Sequence, residues 1–510
     1  MLKINLNKFK NIALSVLRSL HTPKWLFILL TIVFVLRIPS FFEPYSYGDE
    51  TIYLTLGNAI REGVPLYKGV HDNKPPLLYL TAGVAGNLFW FKAILAIWSI
   101  IGIYIFWKIS LKVLSKKPLA QKVATSIFAL LTTIPFYEGN IANAELFMIV
   151  PTMLAFLLIL NPKKSSKTIF LSGILFSISS LFKIPAAFDL PVVIIFWMVT
   201  TRLNGVGIRK VLTNSLILIF GFTAPIFLTF VWYFFQGAAK EYLIAAYLQN
   251  FGYLSSWRPE AKQESFFVKN APLLIRGSIV FLINLFLYLK RKSLSKEFIL
   301  VTSWLTFSLF AVTLSERPYP HYLIQAVPSL SFLLSMLFTF QNLTQTLVIL
   351  PLTLFLIVPV FHKYWHYGSL NYYNRFVVFS LGKMSKDAYL LSFGGEVVRN
   401  YNIAQFVKSY TNRNDRIFVW EDSSQIYALS KRLPPVKYVA GYHIKDFYSP
   451  SLLVKDLNSN LPKLIVILPN SNPPKELVSL LKRNYVLMEK IDGGEMWSLL
   501  GEKVRALIAP

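Results

Sequence analysis

The sequence predicts an α-helical polytopic membrane protein of about eleven spans that ends in a small extracytoplasmic α/β domain. Of its 510 residues, 54% are hydrophobic and 15% are charged, and the mean hydropathy is +0.50. A soluble domain has a charged fraction nearer ~25%. Apolar runs of about 18 or more residues, as membrane helices require, recur along the chain. Beyond residue 362 the apolar runs become short and the chain becomes polar.

Eleven apolar stretches are predicted to cross the bilayer, each close to the ~20 residues that a spanning helix needs. Their limits are 25–42, 91–113, 119–136, 142–160, 168–183, 186–202, 211–235, 272–290, 298–315, 320–340 and 345–361. The first stretch follows a basic N-terminal segment and has full spanning length. This pattern is typical of a signal anchor, because the apolar region of a cleaved signal peptide is shorter.

The distribution of basic residues predicts the orientation in the membrane. The formal net charge is +27, which in a soluble protein would indicate a nucleic-acid partner. Here Lys and Arg concentrate in alternate connections, such as KISLKVLSKKPLAQK and NPKKSSK, as cytoplasmic loops do. We therefore expect a multi-pass cell-membrane protein that binds no nucleic acid. Its N-terminus is predicted to be cytoplasmic, and residues 43–90 and the C-terminal tail extracytoplasmic.

Two domains are predicted: a membrane domain at 1–362 and a soluble domain at 363–510. In the tail, DRIFVWE (415–421) and PKLIVILPN (462–470) have the composition of strands. Residues 396–410 and 475–484 have helical spacing. Strands that alternate with helices predict a small α/β domain. The chain has no cysteine, which excludes disulfides, thiolate zinc sites and cysteine nucleophiles.

The first outer loop, 43–90, carries two adjacent acids, Asp49 and Glu50, in the segment GDETIY. The following segment, ETIYLTLGNAIREG, has helical spacing, and Gly63 would end that helix. Asp49 is then a candidate N-cap, because a carboxylate at that position accepts bonds from unpaired backbone N–H groups. A structural cap and a chemical role are both consistent with this position.

Other outer loops supply further charged groups on the same side of the membrane. The first loop continues into HDNKPP just before the chain becomes apolar again. The segment EGNIANAELF contributes Glu138 and Glu145, and SERPYPHYLIQ contributes Arg317, His321 and Tyr322. These segments are far apart in sequence, but the predicted topology would let their acids and cations meet in one extracytoplasmic cavity.

Acids beside cations at a membrane surface suit the transfer of a sugar from a lipid phosphate. A carboxylate takes the proton of the acceptor hydroxyl as general base. Cations stabilise the negative charge that grows on the leaving phosphate. The apolar spans would hold a polyprenyl tail. No G-x-x-x-x-G-K-[ST] nucleotide-binding loop is present in the sequence.

With these motifs the sequence resembles the GT-C superfamily of polytopic glycosyltransferases, close to the protein O-mannosyltransferases and the lipid A aminoarabinose transferase. The similarity lies in GDETIY, in GVPLYKGVHDNKPP, in NAELF, in RPYPHYLIQAVPSL and in the tail segment NDRIFVWEDSSQIYALSKRLPP. It covers most of the chain. Each motif is weak alone, whereas the combination of DE with KPP is more specific.

The resemblance implies roles for individual residues. Asp49 matches the catalytic carboxylate, and Glu50 matches its neighbour, a structural partner or, if the reaction uses one, a ligand of a divalent metal ion. Lys74 matches the lysine of KPP, which would contact donor phosphate or orient the loop. The remaining matched positions are predicted to bind substrate or donor phosphate: Asp72, Glu145, Lys183, Arg317, His321 and Tyr322. At Lys183 the family pattern K-Q-P is altered, because Ile184 replaces the glutamine.

Several of these residues also have structural interpretations. Lys74 could extend to the membrane interface, Arg317 could neutralise Glu316, and His321 could cap the tenth span. Tyr322 could belong to an aromatic belt.

The sequence therefore predicts an inverting glycosyltransferase that moves a sugar from a polyprenyl-phosphate donor to an extracytoplasmic protein, lipid or cell-envelope glycan. A single base suffices for inversion, whereas retention would need a second, nucleophilic carboxylate. An oligosaccharide ligase with a lipid-diphosphate donor is the alternative enzyme. A lipid or solute transporter is the alternative of another class, although the chain lacks clear midplane charges.

Overall fold

The computed structural model describes residues 22–202, 204–250 and 265–502, and it is mostly helical. The basic N-terminal segment and most of the connection that follows residue 250 lie outside these ranges. The predicted cytoplasmic position of the N-terminus therefore stays a prediction.

Within the described ranges, six helical segments are long and apolar enough to cross a membrane: Lys24–Phe42, Leu88–Val113, Gly205–Phe235, Asn270–Leu289, Pro320–Thr339 and Leu343–Phe361. Four shorter apolar segments accompany them: Pro118–Leu131, Ala144–Ile159, Ser166–Phe182 and Ile184–Thr200. Together with the helix Lys296–Val312, these segments coincide with the eleven apolar stretches found in the sequence. The chain is a multi-pass membrane protein.

Small residues allow the membrane helices to pack closely. Ser166–Phe182 lies against Gly205–Phe235 at Gly173 and Gly221. A Cβ atom built on Gly173 would lie 2.2 Å from the carbonyl oxygen of Leu218, so only glycine permits this approach. Such contacts are the usual basis of helix association in lipid, where no hydrophobic driving force acts between helices.

The first outer loop contains two short helices, α1 (Gly48–Arg61) and α2 (Leu77–Ala85). They approach each other at Gly57, where an added Cβ would lie 2.4 Å from the backbone nitrogen of Gly83. The interpretation of Asp49 as the N-cap is wrong, because the N-cap of α1 is Tyr47 and Asp49 lies inside the first turn. Gly63 follows the end of α1 with a φ of +79°, as a terminating glycine does.

Short 3₁₀ turns precede three of the helices that enter the membrane domain from the side of this loop. They are Pro135–Tyr137, Ile184–Asp189 and Pro320–Ala326. The other described helical segments of this half are Ala239–Leu243 and the π-helical turn Ile244–Leu248. The helix that contains the apolar segment Asn270–Leu289 begins at Phe266.

The C-terminal part forms a four-stranded sheet with helices around it. Its strands are β1 (Ile417–Trp420), β2 (Leu464–Ile467), β3 (Tyr485–Ile491) and β4 (Gly494–Leu499). The spatial order is β1-β2-β4-β3, with β1 and β2 parallel and the other neighbours antiparallel. The two predicted strands coincide with β1 and β2. The hairpin β3–β4 was not predicted, because five of the seven β3 residues are exposed and lack an apolar alternation.

The helices of this part are Ser369–Ser380, Lys386–Leu391, Gly395–Tyr410, Ser424–Ser430, Gly441–Phe447, Pro450–Ser459 and Lys475–Asn484. Two of them coincide with the predicted helices at 396–410 and 475–484. The domain division at residue 362 remains a prediction. Direct contacts join this part to the first outer loop: Ser424 Oγ lies 2.7 Å from Thr51 Oγ1, and His71 N–H donates to the carbonyl oxygen of Lys437 at 2.8 Å.

Candidate active site

Asp49 lies half-buried in the first turn of α1. Its Oδ2 accepts a hydrogen bond of 2.9 Å from the hydroxyl of Tyr53, one helical turn further on. Within the described part of the chain, no basic side chain forms an ion pair with Asp49.

Glu50 is buried, and its carboxylate binds the first outer loop to neighbouring segments. Its Oε1 lies 2.7 Å from Lys92 Nζ and accepts a bond of 2.5 Å from the backbone N–H of Ala142. Lys92 also donates to Glu43 Oε2 at 2.9 Å and to the carbonyl oxygen of Asn140 at 2.8 Å. Burial raises the pKa of Glu50 from 4.5 to about 7, although the ammonium group of Lys92 opposes the shift. Glu50 thus connects α1 to a membrane helix.

The paired acids do not fit a shared metal site. Adjacent residues on a helix point in different directions, and Glu50 faces Lys92, whose charge already neutralises it. In the described ranges, no group of three histidine or acidic side chains has an arrangement that could hold a metal ion.

Asp72 and Lys74 lie together in the HDNKPP segment. Lys74 Nζ is 3.6 Å from Asp72 Oδ2, which also accepts a bond of 2.8 Å from the hydroxyl of Tyr79. His443, from the C-terminal part, places Nε2 3.7 Å from Asp72 Oδ1. Burial alone would raise the pKa of Asp72, but Lys74, His443 and the N–H of Asn73 outweigh it and hold the pKa below its usual value. Asp72 is thus a fixed anion that orients Lys74.

Glu145 and Lys183 form a second ion pair at the mouth of the membrane domain. Glu145 is buried in the first turn of Ala144–Ile159, and Lys183 is the C-cap residue of Ser166–Phe182. The ammonium group also lies 3.7 Å from the centre of the Tyr322 ring, a cation–π distance. Tyr322 thus lies beside the predicted site, and its binding role stays a prediction.

His321 bonds through Nδ1 to Glu138 Oε2, and its Nε2 lies 3.9 Å from Glu145 Oε1. The same Glu138 oxygen accepts 2.9 Å and 3.4 Å bonds from the Tyr47 hydroxyl and from Asn143 Nδ2. Glu138, which is 2% exposed, is therefore a buried member of the cluster. His321 does not act as a helix cap.

The predicted residues meet as the topology suggested. The charges of Asp49, Lys74 and Lys183 lie close enough to interact, and the ring of Tyr53 stands among Asp49, Asp72 and Glu145. Arg317 is half-buried in the connection that precedes Pro320–Ala326. Glu316, which the sequence suggested as its partner, is bound by Arg276 at 3.0 Å. The binding role of Arg317 stays a prediction.

Sequence reasoning missed the residues that hold this cluster in place. Lys92 and Glu43 stand at the edges of apolar stretches, where charge is costly unless paired, and that position was a usable signal. His443 and Ser424, from the C-terminal part, carried no such signal, because ordinary polar residues reach the site only through the tertiary fold.

The chain was compared with family models, with proteins of curated function and with solved structures. The family model described as "Putative competence-induced protein Ccs4 C-terminal domain" matches residues 399–495. No protein of curated function matches the sequence. The crystal structure of ArnT from Cupriavidus metallidurans bound to undecaprenyl phosphate superimposes with a TM-score of 0.56 at 13% identity. The match covers 94% of this chain and 99% of that chain.

The chain has the GT-C glycosyltransferase fold. The GT-C oligosaccharyltransferase of Archaeoglobus fulgidus, in its apo form, has a TM-score of 0.44 at 13% identity over 88% of this chain and 70% of that chain. The arabinofuranosyltransferase AftD from Mycobacteria has a TM-score of 0.43 at 12% identity over 94% of this chain and 40% of that chain. The GT-C fold, with a small sheet domain after the membrane helices, agrees with the fold class predicted from sequence.

Proposed function

We propose that this protein is an inverting glycosyltransferase that moves a sugar from a polyprenyl-phosphate donor to an acceptor hydroxyl outside the cytoplasm. The observation that carries the proposal is the position of Asp49. Among the described acids of the cluster, it is the one without an ion-pair partner, and it lies near Lys74 and Lys183. A general base needs such a carboxylate, because a strong ion pair would lower its basicity.

The other acids have supporting positions. Glu50 is bound to Lys92, Asp72 to Lys74, and Glu145 to Lys183. Because Asp72 and Glu145 each hold one lysine, both ammonium groups are kept at the membrane mouth before substrate arrives. Such preorganised charge stabilises a developing anion without reorganisation during the reaction.

These positions suggest a direct displacement. Asp49 accepts the proton of the acceptor hydroxyl while that oxygen bonds to the anomeric carbon. The bond between this carbon and the phosphate oxygen breaks, and its electron pair leaves with the lipid phosphate. Lys74 and Lys183 stabilise the negative charge of that phosphate. The Tyr53 hydroxyl, bonded to Oδ2 of Asp49, orients the base.

The choice of a lipid-phosphate donor is supported by the fold and by the cations. ArnT, which shares the fold, was crystallised with undecaprenyl phosphate. Lys183 follows the end of the membrane helix Ser166–Phe182, and Lys74 of the outer loop lies close enough to interact with it. A phosphate between the two lysines would direct its polyprenyl chain along apolar helices. An oligosaccharide ligase with a lipid-diphosphate donor remains the alternative, since two lysines can also bind a diphosphate.

The test combines a deletion strain with mass spectrometry of envelope glycans and polyprenyl lipids. We expect Asp49→Asn to reduce transfer about 100-fold or more, the usual scale for loss of a general base. Glu62→Gln, an acid-to-amide change at the exposed C-terminal end of the same helix, is the matched control and should retain transfer. Immunoblots confirm equal amounts of each variant.

Near-normal transfer by Asp49→Asn would exclude the catalytic role. The lipid product separates the two donor classes, because a ligase releases polyprenyl diphosphate whereas the proposed enzyme releases polyprenyl monophosphate.

A further inference from the structure

A cavity of about 450 Å³ adjoins the site on the side of Glu138. It lies between the first outer loop, the connection 135–141 and the helix Ser369–Ser380. A volume of this size is within the range of small-molecule binding pockets. The residues that determine its chemistry are Glu43, Tyr47, Glu138, Asn371, Tyr372 and Arg375.

One group in this wall has unused hydrogen-bonding capacity. Glu138 is 2% exposed, and its Oε2 is bonded to His321, Tyr47 and Asn143. Its Oε1 is buried and accepts no hydrogen bond of 3.5 Å or less within the described residues, and the phenol of Tyr367, also in the cavity wall, lies near this carboxylate. Burying an unpaired carboxylate oxygen is costly, and the cost is removed when a bound molecule donates a hydrogen bond.

The rest of the wall combines polar groups with aromatic rings. Asn371 and Arg375 supply donors, and the phenols of Tyr47, Tyr367 and Tyr372 supply ring surface. Arg375 is held by Phe393, whose ring centre lies 3.6 Å from its guanidinium carbon, and by a 2.8 Å bond to the carbonyl oxygen of Ser392. A few convergent polar groups between rings recognise a flat molecule that carries many hydroxyls.

We propose that this cavity binds a saccharide ring of the acceptor, an inference that rests on the function proposed above. The cavity wall holds one cation, Arg375, beside the carboxylates of Glu43 and Glu138, which are already bound to Lys92 and His321. A single cation next to two carboxylates is a poor site for a phosphate. An acyl chain would leave these polar groups without hydrogen bonds. A neutral or amino-substituted sugar satisfies the carboxylate, the amide and the rings together.

The location of the cavity explains how an acceptor would reach the base. Tyr47 lines the cavity and precedes Asp49 by two residues, whereas Lys74 and Lys183 are not in the cavity wall. Glu138 connects the cavity with the candidate active site. It lines the cavity and bonds to His321, and His321 in turn approaches Glu145. The acceptor would therefore approach Asp49 from this cavity and the lipid phosphate from the side of the two lysines.

The test is direct binding of methyl glycosides of hexoses, pentoses and hexosamines. Saturation-transfer difference NMR is recorded on the full chain in lipid nanodiscs, without donor. Asn371→Trp fills the cavity, and Asn374→Trp is the matched control on the same helix, at an exposed position that does not line the cavity. We expect at least one glycoside to bind to the wild type and to Asn374→Trp, and the signal to fall to background in Asn371→Trp.

Glu138→Gln should weaken binding of the same glycoside, because an amide oxygen is a poorer hydrogen-bond acceptor than a carboxylate oxygen. Undecaprenyl phosphate binding, measured by native mass spectrometry, should be the same in the wild type and in Asn371→Trp. Absence of binding by every glycoside, equal binding by both tryptophan variants, or loss of undecaprenyl phosphate from Asn371→Trp would each overturn the proposal.

Glycoside binding needs no turnover, so it is also measured on Asp49→Asn. Retained binding in that variant supports the subsite independently of the catalytic role. Binding that persists while Asp49→Asn transfers normally would retain the subsite and reject the proposed base.

Discussion

Lys92 Nζ lies 2.7 Å from Glu50 Oε1, and both side chains are almost completely buried. Lys92 is in the first turn of the long membrane helix Leu88–Val113, and Glu50 is next to Asp49 in the outer loop. The ion pair therefore fixes the turn that presents the candidate base to a rigid element of the membrane domain. Rigid support of this kind is what a catalytic residue requires.

Lys92→Met should destabilise the protein strongly, because it leaves the carboxylates of Glu43 and Glu50 buried without their cation. Breaking a buried pair in this way costs about 3–5 kcal/mol. Thermal unfolding in detergent measures the effect. Lys112→Met, an exposed lysine on the same helix, is the control and should unfold like the wild type.

The double variant Lys92→Met with Glu50→Gln separates charge from packing. If the loss comes from an uncompensated charge, the double variant should be more stable than the sum of the two single changes predicts. Strict additivity would show that Lys92 acts through packing alone.

The raised pKa of Glu50 predicts that stability depends on pH. Burial, opposed by Lys92, raises this pKa from 4.5 to about 7, so the folded protein binds the proton more tightly than the unfolded chain. The stabilising contribution is complete below pH 4.5 and is lost as the pH rises through about 7. The unfolding temperature of the wild type should therefore fall between pH 5 and pH 8 by more than that of Glu50→Gln. Parallel profiles for the two proteins would contradict the assignment.

The two lysines should control donor affinity. Lys183→Met should weaken binding of undecaprenyl phosphate about tenfold or more, because a charge-assisted bond to phosphate contributes roughly 1.5–3 kcal/mol. Lys74→Met should have a similar effect. Native mass spectrometry of the purified protein gives both values, and Lys68→Met, an exposed lysine of the first loop, is the control. Unchanged affinity in both variants would place the phosphate elsewhere.

The C-terminal part should influence transfer through the first turn of α1. Ser424 Oγ lies 2.7 Å from Thr51 Oγ1 and 3.3 Å from the carbonyl oxygen of Gly48. Loss of about 1 kcal/mol of positioning energy in Ser424→Ala should lower kcat about fivefold and leave undecaprenyl phosphate binding unchanged. Ser409→Ala, an exposed serine of the same part of the chain, should transfer normally. A change in donor affinity alone would argue against a positioning role.

The topology is tested by cysteine labelling, for which a chain without cysteine gives no background. Pro450→Cys, at the exposed start of the helix Pro450–Ser459, should react with an impermeant reagent on intact cells. Lys116→Cys, in a basic connection between two membrane segments, should react only after lysis. The opposite pattern would invert the orientation.

The sequence alone located the apolar helices of the membrane domain, because a bilayer accepts only stretches of sufficient length and apolarity. It also identified Asp49 with Glu50, the HDNKPP segment, Glu145 with Lys183, and His321, since polar groups at the ends of apolar stretches are conspicuous. The strands β1 and β2 were predictable for the related reason that buried strands are continuous apolar runs.

The family resemblance had indicated Asp49 as the candidate base, and only the tertiary structure supplied a physical reason to prefer it to Glu50. Asp49 and Glu50 are adjacent in sequence and chemically similar, but α1 turns Glu50 toward Lys92 and leaves Asp49 beside Tyr53. The partners that make this distinction, together with Ser424, His443 and the cavity at Glu138, come from segments tens to hundreds of residues away. Sequence pattern reports the local periodicity of one segment, whereas ion pairs and cavities depend on how distant segments pack.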